Sequence, residues 1–359
     1  MTLPVAVLLG CAEAGVESRL AEWQVEHELT IGGAEDGPFS FSDLRSFAVG
    51  DDGTVYLLEA RENEVRAFSP DGELVRAIGR RGQGPGEFER AIGVALTPDG
   101  HVWVYAPGAR RLAQFTTNGE FVRSYIPPVD SWEGTWTGGM HADWRLYDLQ
   151  SLRADTGRVQ GIVTTDLRTE RADTLPIPSC SASGIGYYDF PMGAMPIPFG
   201  TGLLMALDVA GNRVWCVDTR EIRVYEYELG ATARTRTLVA EVTPEPVTRA
   251  DRDSAIAAVE KFKERVGGAA TDYSLIPSVK AIVEGISMDD VGRVWVRART
   301  AEGFRLIGFD REGRPIAAIV LPEAPHRWAP LVVRGDRVWY VTTDADGVPA
   351  VVRYRITGP

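Results

Sequence analysis

Imidazole and thiol are scarce in this chain of 359 residues, which holds four histidines and three cysteines. His27, His101, His141 and His326 stand far apart without paired spacing, so a zinc centre built on converging imidazoles is not expected. A Gly-x-Ser-x-Gly elbow, a phosphate loop and a paired-cysteine motif are missing, which removes the common nucleophilic, nucleotide and redox signatures. Basic blocks are missing too. With 38 Lys and Arg against 50 Asp and Glu, the net charge of −12 argues against nucleic acid, whose phosphates need clustered cations. Outside one segment, the chain also lacks the 3.6-residue apolar period of helical repeats.

What is present is a hairpin, written six times. Val55-Tyr56, Val102-Trp103, Leu146-Tyr147, Val214-Trp215, Val294-Trp295 and Val338-Trp339 each open a short apolar run just after Asp, Gly or Asn. That is how a tight turn feeding a strand is written. The first two copies set the period: shifting residues 31 to 78 by 47 positions brings Ile31, Gly32, Gly37, Pro38 and Phe41 onto Ile78, Gly79, Gly84, Pro85 and Phe88. One unit reads as four strands, Phe47–Val49, Val55–Glu59, Val65–Phe68 and Leu74–Ile78, with Asp52-Gly53 and Asp71-Gly72 at the turns. A period in the forties with several short strands per unit predicts propeller blades. Intervals of 47, 44, 68, 80 and 44 residues between successive pairs give six blades with two insertions. The expected fold is therefore all-β, a six-bladed β-propeller over 23–359. The last unit ends at Gly358 without its fourth strand, and Val25–Ile31 aligns with the fourth-strand segment Gly72–Ile78. An N-terminal strand is thus expected to complete the sixth blade and remove the open edges of the ring.

The run Gly79-Arg-Arg-Gly-Gln-Gly-Pro-Gly-Glu-Phe88, followed by Gly93-Val-Ala-Leu-Thr-Pro-Asp-Gly-His-Val-Trp-Val104, resembles the NHL-type repeat of six-bladed propellers, many of them bacterial exported lipoproteins. Where that family often has Asp after the second strand, this chain has Glu59, Ala106, Gln150, Asp218, Ala298 and Thr342. Leu8-Leu-Gly-Cys11 resembles a lipobox, which implies lipidation at Cys11 and a signal and tether over 1–22. On that resemblance the protein is expected in the bacterial cell envelope, facing the periplasm or cell surface and touching the membrane only through its anchor. The alternative is an uncleaved tail. Of the other two cysteines, Cys216 lies in a strand expected to be buried, so Cys180 and Cys216 are expected as free thiols; a disulfide between loop and blade is the alternative.

Meander geometry sorts the loops. The first-to-second and third-to-fourth turns share one face and are short, whereas the long connections, 126–138, 179–202 and 244–283, share the other face, where a site is expected. Within the last of these, Thr248 with Asp251 and the spacing of Ile256, Val259, Phe262 and Val266 predict a helix over 248–266, packed on the propeller wall or mouth as a lid or as structure. The residues entering the first strands, Arg45, Ile92, Trp136, Glu284 and Trp328, form one column at the channel mouth. Two indoles, a cation and a carboxylate suit a small molecule, glycan or protein partner, unless Arg45 and Glu284 simply pair. Arg297 and His326 join the candidate ligand-binding set, with Arg90, Lys280 and Tyr273 near the same face.

No cofactor and no metal are expected, and a monomer is. The leading expectation is a non-enzymatic, envelope-tethered binding propeller. The alternative is a metal-dependent lactonase or lyase with carboxylates at the mouth. Glu35-Asp-Gly-Pro38 resembles the acidic motif of gluconolactonase-like propellers, although the internal repeat accounts for the same residues as a linker between units.

Overall fold

The computed structural model describes residues 20–33, 40–97, 99–106, 111–126, 139–140, 144–154, 157–169, 171–176, 186–200, 202–268, 271–327 and 329–358. Its strands follow the hairpin signals. At the first of them, Asp52 accepts from the Thr54 amide at 2.9 Å and Gly53 takes φ 83°, which a side chain would resist. That tight reversal delivers Val55 and Tyr56 into the second strand.

Four sheets of four antiparallel strands result. The first holds Leu44–Val49, Val55–Glu59, Glu64–Phe68 and Leu74–Ile78, and the second Gly93–Thr97, His101–Ala106, Arg111–Thr116 and Phe121–Tyr125. The third holds Gly139–Met140, Arg145–Ala154, Gly157–Asp166 and Arg171–Leu175, and the fourth Leu203–Asp208, Arg213–Asp218, Ile222–Glu228 and Arg234–Ala240. An eight-stranded sheet follows. Its leading half is Val283–Met288, Val294–Thr300, Gly303–Phe309 and Pro315–Val320. Its closing half is Leu331–Arg334, Arg337–Thr343, Pro349–Thr357 and the N-terminal strand Glu22–Gly32.

The halves meet where Glu22 and Trp23 run parallel to Ala318 and Ile319. The N-terminal strand pairs antiparallel with the last strand from Gln24 opposite Thr357 to Gly32 opposite Ala350, as the alignment of Val25–Ile31 anticipates. First strands lie against one another between the first and second sheets, the second and third, the fourth sheet and the leading half, and the two halves.

Packing between sheets rests on the aromatic member of each pair. Tyr56, Trp103, Tyr147, Trp215, Trp295 and Trp339 hold the same place in their second strands, opposite Ala48, Ala95, Gly139, Ala206, Ser287 and Val332 of the first strands. Tyr147 is half-buried and the other five are buried. Each packs on the next sheet: Tyr56 with Val94 and Val102, Trp103 with Leu146, Tyr147 with Val214, Trp215 with Val294, and Trp295 with Tyr340. Trp339 packs on Phe47 and Val55 of the first sheet. Small residues opposite large ones let these layers interdigitate at interior density.

Cys216 corrects one expectation. It is buried at the interface of the third and fourth sheets, yet it is disulfide-bonded and not a free thiol. Burial of a strand sulfur leaves it able to bond a second thiol packed against it. The chain's other cysteines, Cys11 and Cys180, lie outside the described residues.

The helix α1, Arg249–Val266, starts as the sequence indicates, with Thr248 and Asp251 forming a capping box. Its apolar face meets a hairpin that stands outside the repeat. Val259 is buried, and Phe262 meets Phe190 at 5.6 Å and sits against Gly193, both in the hairpin Tyr187–Phe190 and Gly193–Pro196. Arg252 ties α1 to the Tyr273 and Ile276 carbonyls at 2.6 and 3.1 Å, and Tyr188 donates to Asp272 at 3.1 Å. The connection from the third to the fourth sheet thus supplies part of the partner surface that this stripe needs. Among the described residues no helix is long and apolar enough to cross a membrane.

Candidate functional site

Arg45 and Glu284 occupy the same structural position. In the first sheet the ladder slips between Leu44 and Ser46, and in the leading half it slips between Val283 and Gly285, so each residue is the extra one of a β-bulge. A bulge turns its residue out of the ladder, which is how strands aim side chains at sites. Ile92 holds the corresponding place in the second sheet and is buried. Trp136 and Trp328 lie outside the described residues.

The two bulged residues do not pair with each other, which corrects the simplest reading of the column. Arg45 Nε donates to Asp43 at 2.9 Å, while Glu284 Oε1 accepts from Arg299 Nε at 2.8 Å. Short loops decide this. Asp43 lies two residues before Arg45, and Glu59, 1% exposed, fixes it by accepting from the Ser42 amide and hydroxyl and from the amides of Asp43 and Arg61. Glu59 stands where the resembling family carries Asp, and here it braces the loop that presents Arg45.

Arg297 comes from the strand beside Glu284 and is only 5% exposed. Its guanidinium donates to three backbone carbonyls, those of Glu284 at 3.0 Å, Arg327 at 3.1 Å and His326 at 3.4 Å, and no carboxylate among the described residues pairs with it. Gly285 leaves the room: a Cβ there would lie 3.3 Å from Arg297 Nε. Burial presses the guanidinium towards deprotonation, and the Glu284 charge opposes this. His326 sits beside it, half-buried, with its imidazole pKa held below the ordinary value by burial. The Asp43 charge opposes that shift, and Arg297 and Arg45 reinforce it. Arg297 Nε and His326 Nδ1 are both buried without a hydrogen-bond partner. Arg45, Asp43, Arg297 and His326 therefore share one neighbourhood.

The weaker candidates divide. Arg90, in a left-handed conformation, donates its amide to Asn63 at 2.6 Å and is a turn residue. Tyr273 bonds Glu260 of α1. Lys280 is a hub: Nζ reaches Glu245 at 2.6 Å and Asp251 at 3.2 Å, and lies 5.6 Å above the Phe199 ring. Arg299 joins Glu245 at 3.5 Å to Glu284, so charge runs unbroken from the bulge through Arg299, Glu245 and Lys280 to the first turn of α1. Sequence reasoning did not find Asp43, Glu59 or Arg299. The available signal was alternation: Arg297 and Arg299 lie two apart on one face of a strand otherwise apolar at Val294, Val296 and Ala298.

Comparison with solved structures places the fold. The chain is similar to a member of the DUF4221 family from Bacteroides vulgatus, at TM-score 0.55 and 13% identity over 95% of this chain and 100% of that one. It is also similar to a "putative exported protein" from Bacteroides fragilis, at 0.54 and 10% over 93% and 95% of the two chains. A protein of unknown function from Bacteroides thetaiotaomicron follows at 0.51 and 11%, over 94% and 75%. The fold is a β-propeller. No protein-family model and no curated protein sequence matches the chain.

At the other end of the propeller, a cleft of about 720 Å³ opens between the first sheet and the closing half, lined by Asp51, Asp71, Asp290, Arg334, Trp339 and Arg353 among others. Two of its arginines are engaged across the seam, Arg334 with the Val49 carbonyl and Asp51 and Arg353 with the Pro70 carbonyl, and Arg353 also pairs with Glu28 within the closing half. Among the described residues, no group of three or more His, Cys, Asp and Glu side chains could hold a metal ion.

Proposed function

We propose that this protein is an exported, six-bladed propeller that binds a ligand or partner at the mouth marked by Arg45 and Glu284, without converting it. The blade count takes the eight-stranded sheet as two blades joined edge to edge. Its support is the cyclic packing of the six aromatic residues, in which Trp339 returns to the first sheet. The observation that carries the mouth is the ion-pair chain from bulged Glu284 to α1, because it ties the packed helix and hairpin to the end where the bulged side chains emerge. A braced rim beneath a packed cap is how a scaffold presents loops for recognition.

Export rests on the resemblance of Leu8–Cys11 to a lipobox and accords with the designation of the Bacteroides fragilis neighbour. The test joins both parts. Cell fractionation with and without Cys11→Ala reads the anchor. A panel of sugars, sugar acids and short peptides, screened by thermal shift against the intact protein and a variant carrying Arg45→Ala and Glu284→Ala, reads the mouth. A hit that stabilises both proteins equally would place binding elsewhere.

A further inference from the structure

We propose that the ligand of this mouth carries a carboxylate, received by Arg45 over the fixed positive charge of Arg297 and beside His326. This rests on the mouth being the binding site, and it adds the chemical class.

The chain is acidic, at −12, and its buried or half-buried arginines are mostly matched: Arg299 with Glu284, Arg293 with Asp289, Arg353 with Glu28. Half-buried Arg252 and Arg111 bond backbone carbonyls alone, and so does Arg297, which at 5% exposed is the most deeply buried of the three. Its terminal nitrogens are held by carbonyls alone, which fix its geometry and leave it with no carboxylate bonded to it among the described residues. A guanidinium removed from water without an anion is costly, and its field is screened far less than that of a surface cation. Carbonyl oxygens from both the bulge and the loop before the closing half hold it, so it lies under both edges of the mouth.

Two further nitrogens face the same deficit. Arg297 Nε and His326 Nδ1 have no hydrogen-bond partner, and Arg45 is 41% exposed at its side chain, tethered by Asp43 at the rim. Asp43 is bonded to Arg45, and Glu284, whose charge acts on Arg297, is bonded to Arg299, so Arg297 has no carboxylate of its own. An arriving carboxylate supplies one. It meets planar donors from Arg45, and the field of the buried cation favours it over the corresponding neutral group.

Matched pairs of probes test this: glucuronate against glucose, indole-3-acetate against indole-3-acetamide, and a tripeptide with a free against an amidated C-terminus. Titration calorimetry at pH 7.5 gives affinities, and hydrogen exchange maps protection. The expected result is that at least one acid binds tenfold or more tightly than its neutral partner, with protection at residues 42–46 and 323–327. Arg45→Gln should reduce that preference to threefold or less without moving the melting temperature. If neutral members bind equally well and protect the same segments, the mouth remains a binding site and the anionic class is overturned. If acids are preferred but Arg45→Gln leaves the preference intact, the assignment is likewise overturned. If no probe protects the mouth, both this inference and the binding reading fall.

Discussion

Glu28 and Arg353 face each other at 2.9 Å between the first and last strands of the chain, and the same carboxylate also meets Arg337 at 2.8 Å and Arg355 at 2.5 Å. Glu28 is the bulged residue between His27 and Leu29, so the irregularity in the ladder turns its carboxylate toward three guanidiniums. Burial opposes its ionisation, but the bonds from Arg337 and Arg355 together outweigh that and hold its pKa below the ordinary 4.5. A depressed carboxyl pKa contributes stability above the unfolded value and loses it as pH falls through the folded one. Glu28→Gln should therefore lower stability by about 2 to 3 kcal/mol at pH 7. The difference from the wild type should shrink below about pH 4.5, as denaturant melts at pH 7 and pH 3.5 would read.

Removal of residues 20–31 takes away one of the two strands that flank Pro349–Thr357, nearly to its end at Gly32, and the parallel contact with Ala318 and Ile319. Two strand edges open at once, and buried Ile31 is lost. Calorimetry should show a melting temperature lower by at least about 10 °C, taking roughly 2 to 4 °C per kcal/mol for a larger domain. An unchanged value would mean that the closing half stands without its fourth strand.

The features legible in the sequence were local and repeated. Asp52-Gly53 and Val55-Tyr56 announce a hairpin by themselves, and the shift of 47 residues carries that reading to the second sheet and, through Val25–Ile31, to the terminal pairing. The register also put Arg45 and Glu284 at one position, and the structure places both at the same bulge. Partner choice was not legible, because it depends on loops. Nothing in the spacing says that Arg45 turns back to Asp43 or that Arg297 grips three carbonyls. The bond at Cys216 was misjudged because burial fits a thiol and a disulfide equally well. The hairpin at 187–196 went unread because it stands outside the repeat, in a connection that packs on another connection through Phe190 and Phe262.

Trp295 and Gly308 are opposite one another in the leading half, and a Cβ on Gly308 would lie 2.7 Å from the indole. Trp295 is fully buried and donates Nε1 to Asp289 at 2.9 Å. Trp295→Ala should cost about 3 to 5 kcal/mol, and Gly308→Ala about 1 to 3 by overpacking. The two should not add. With the ring gone, Gly308→Ala should cost less than about 1 kcal/mol, and a double-mutant cycle would read that coupling. Full additivity would show that the glycine is required for some other reason.

Lys280 holds α1 to the mouth, and its removal should separate local from global stability. Glu245 raises its pKa above the ordinary 10.5 through a direct hydrogen bond, and Asp251 adds to this against the cost of burial. A raised lysine pKa gives stability that is present below the unfolded value and lost as pH rises through the folded one. Lys280→Met keeps the apolar stem that lies over Phe199 and deletes the charge. Amide exchange across 249–266 should quicken by about tenfold, equivalent to roughly 1.4 kcal/mol of local opening. The sheets should keep their protection and the global melt should move little. In the wild type the same segment should lose protection first above about pH 10.5, after correction for the intrinsic exchange rate. If α1 exchanges only with the global transition in both proteins, its hairpin contacts through Phe262 and Val266 hold it without the ion-pair chain, and the cap is not tied to the mouth by charge.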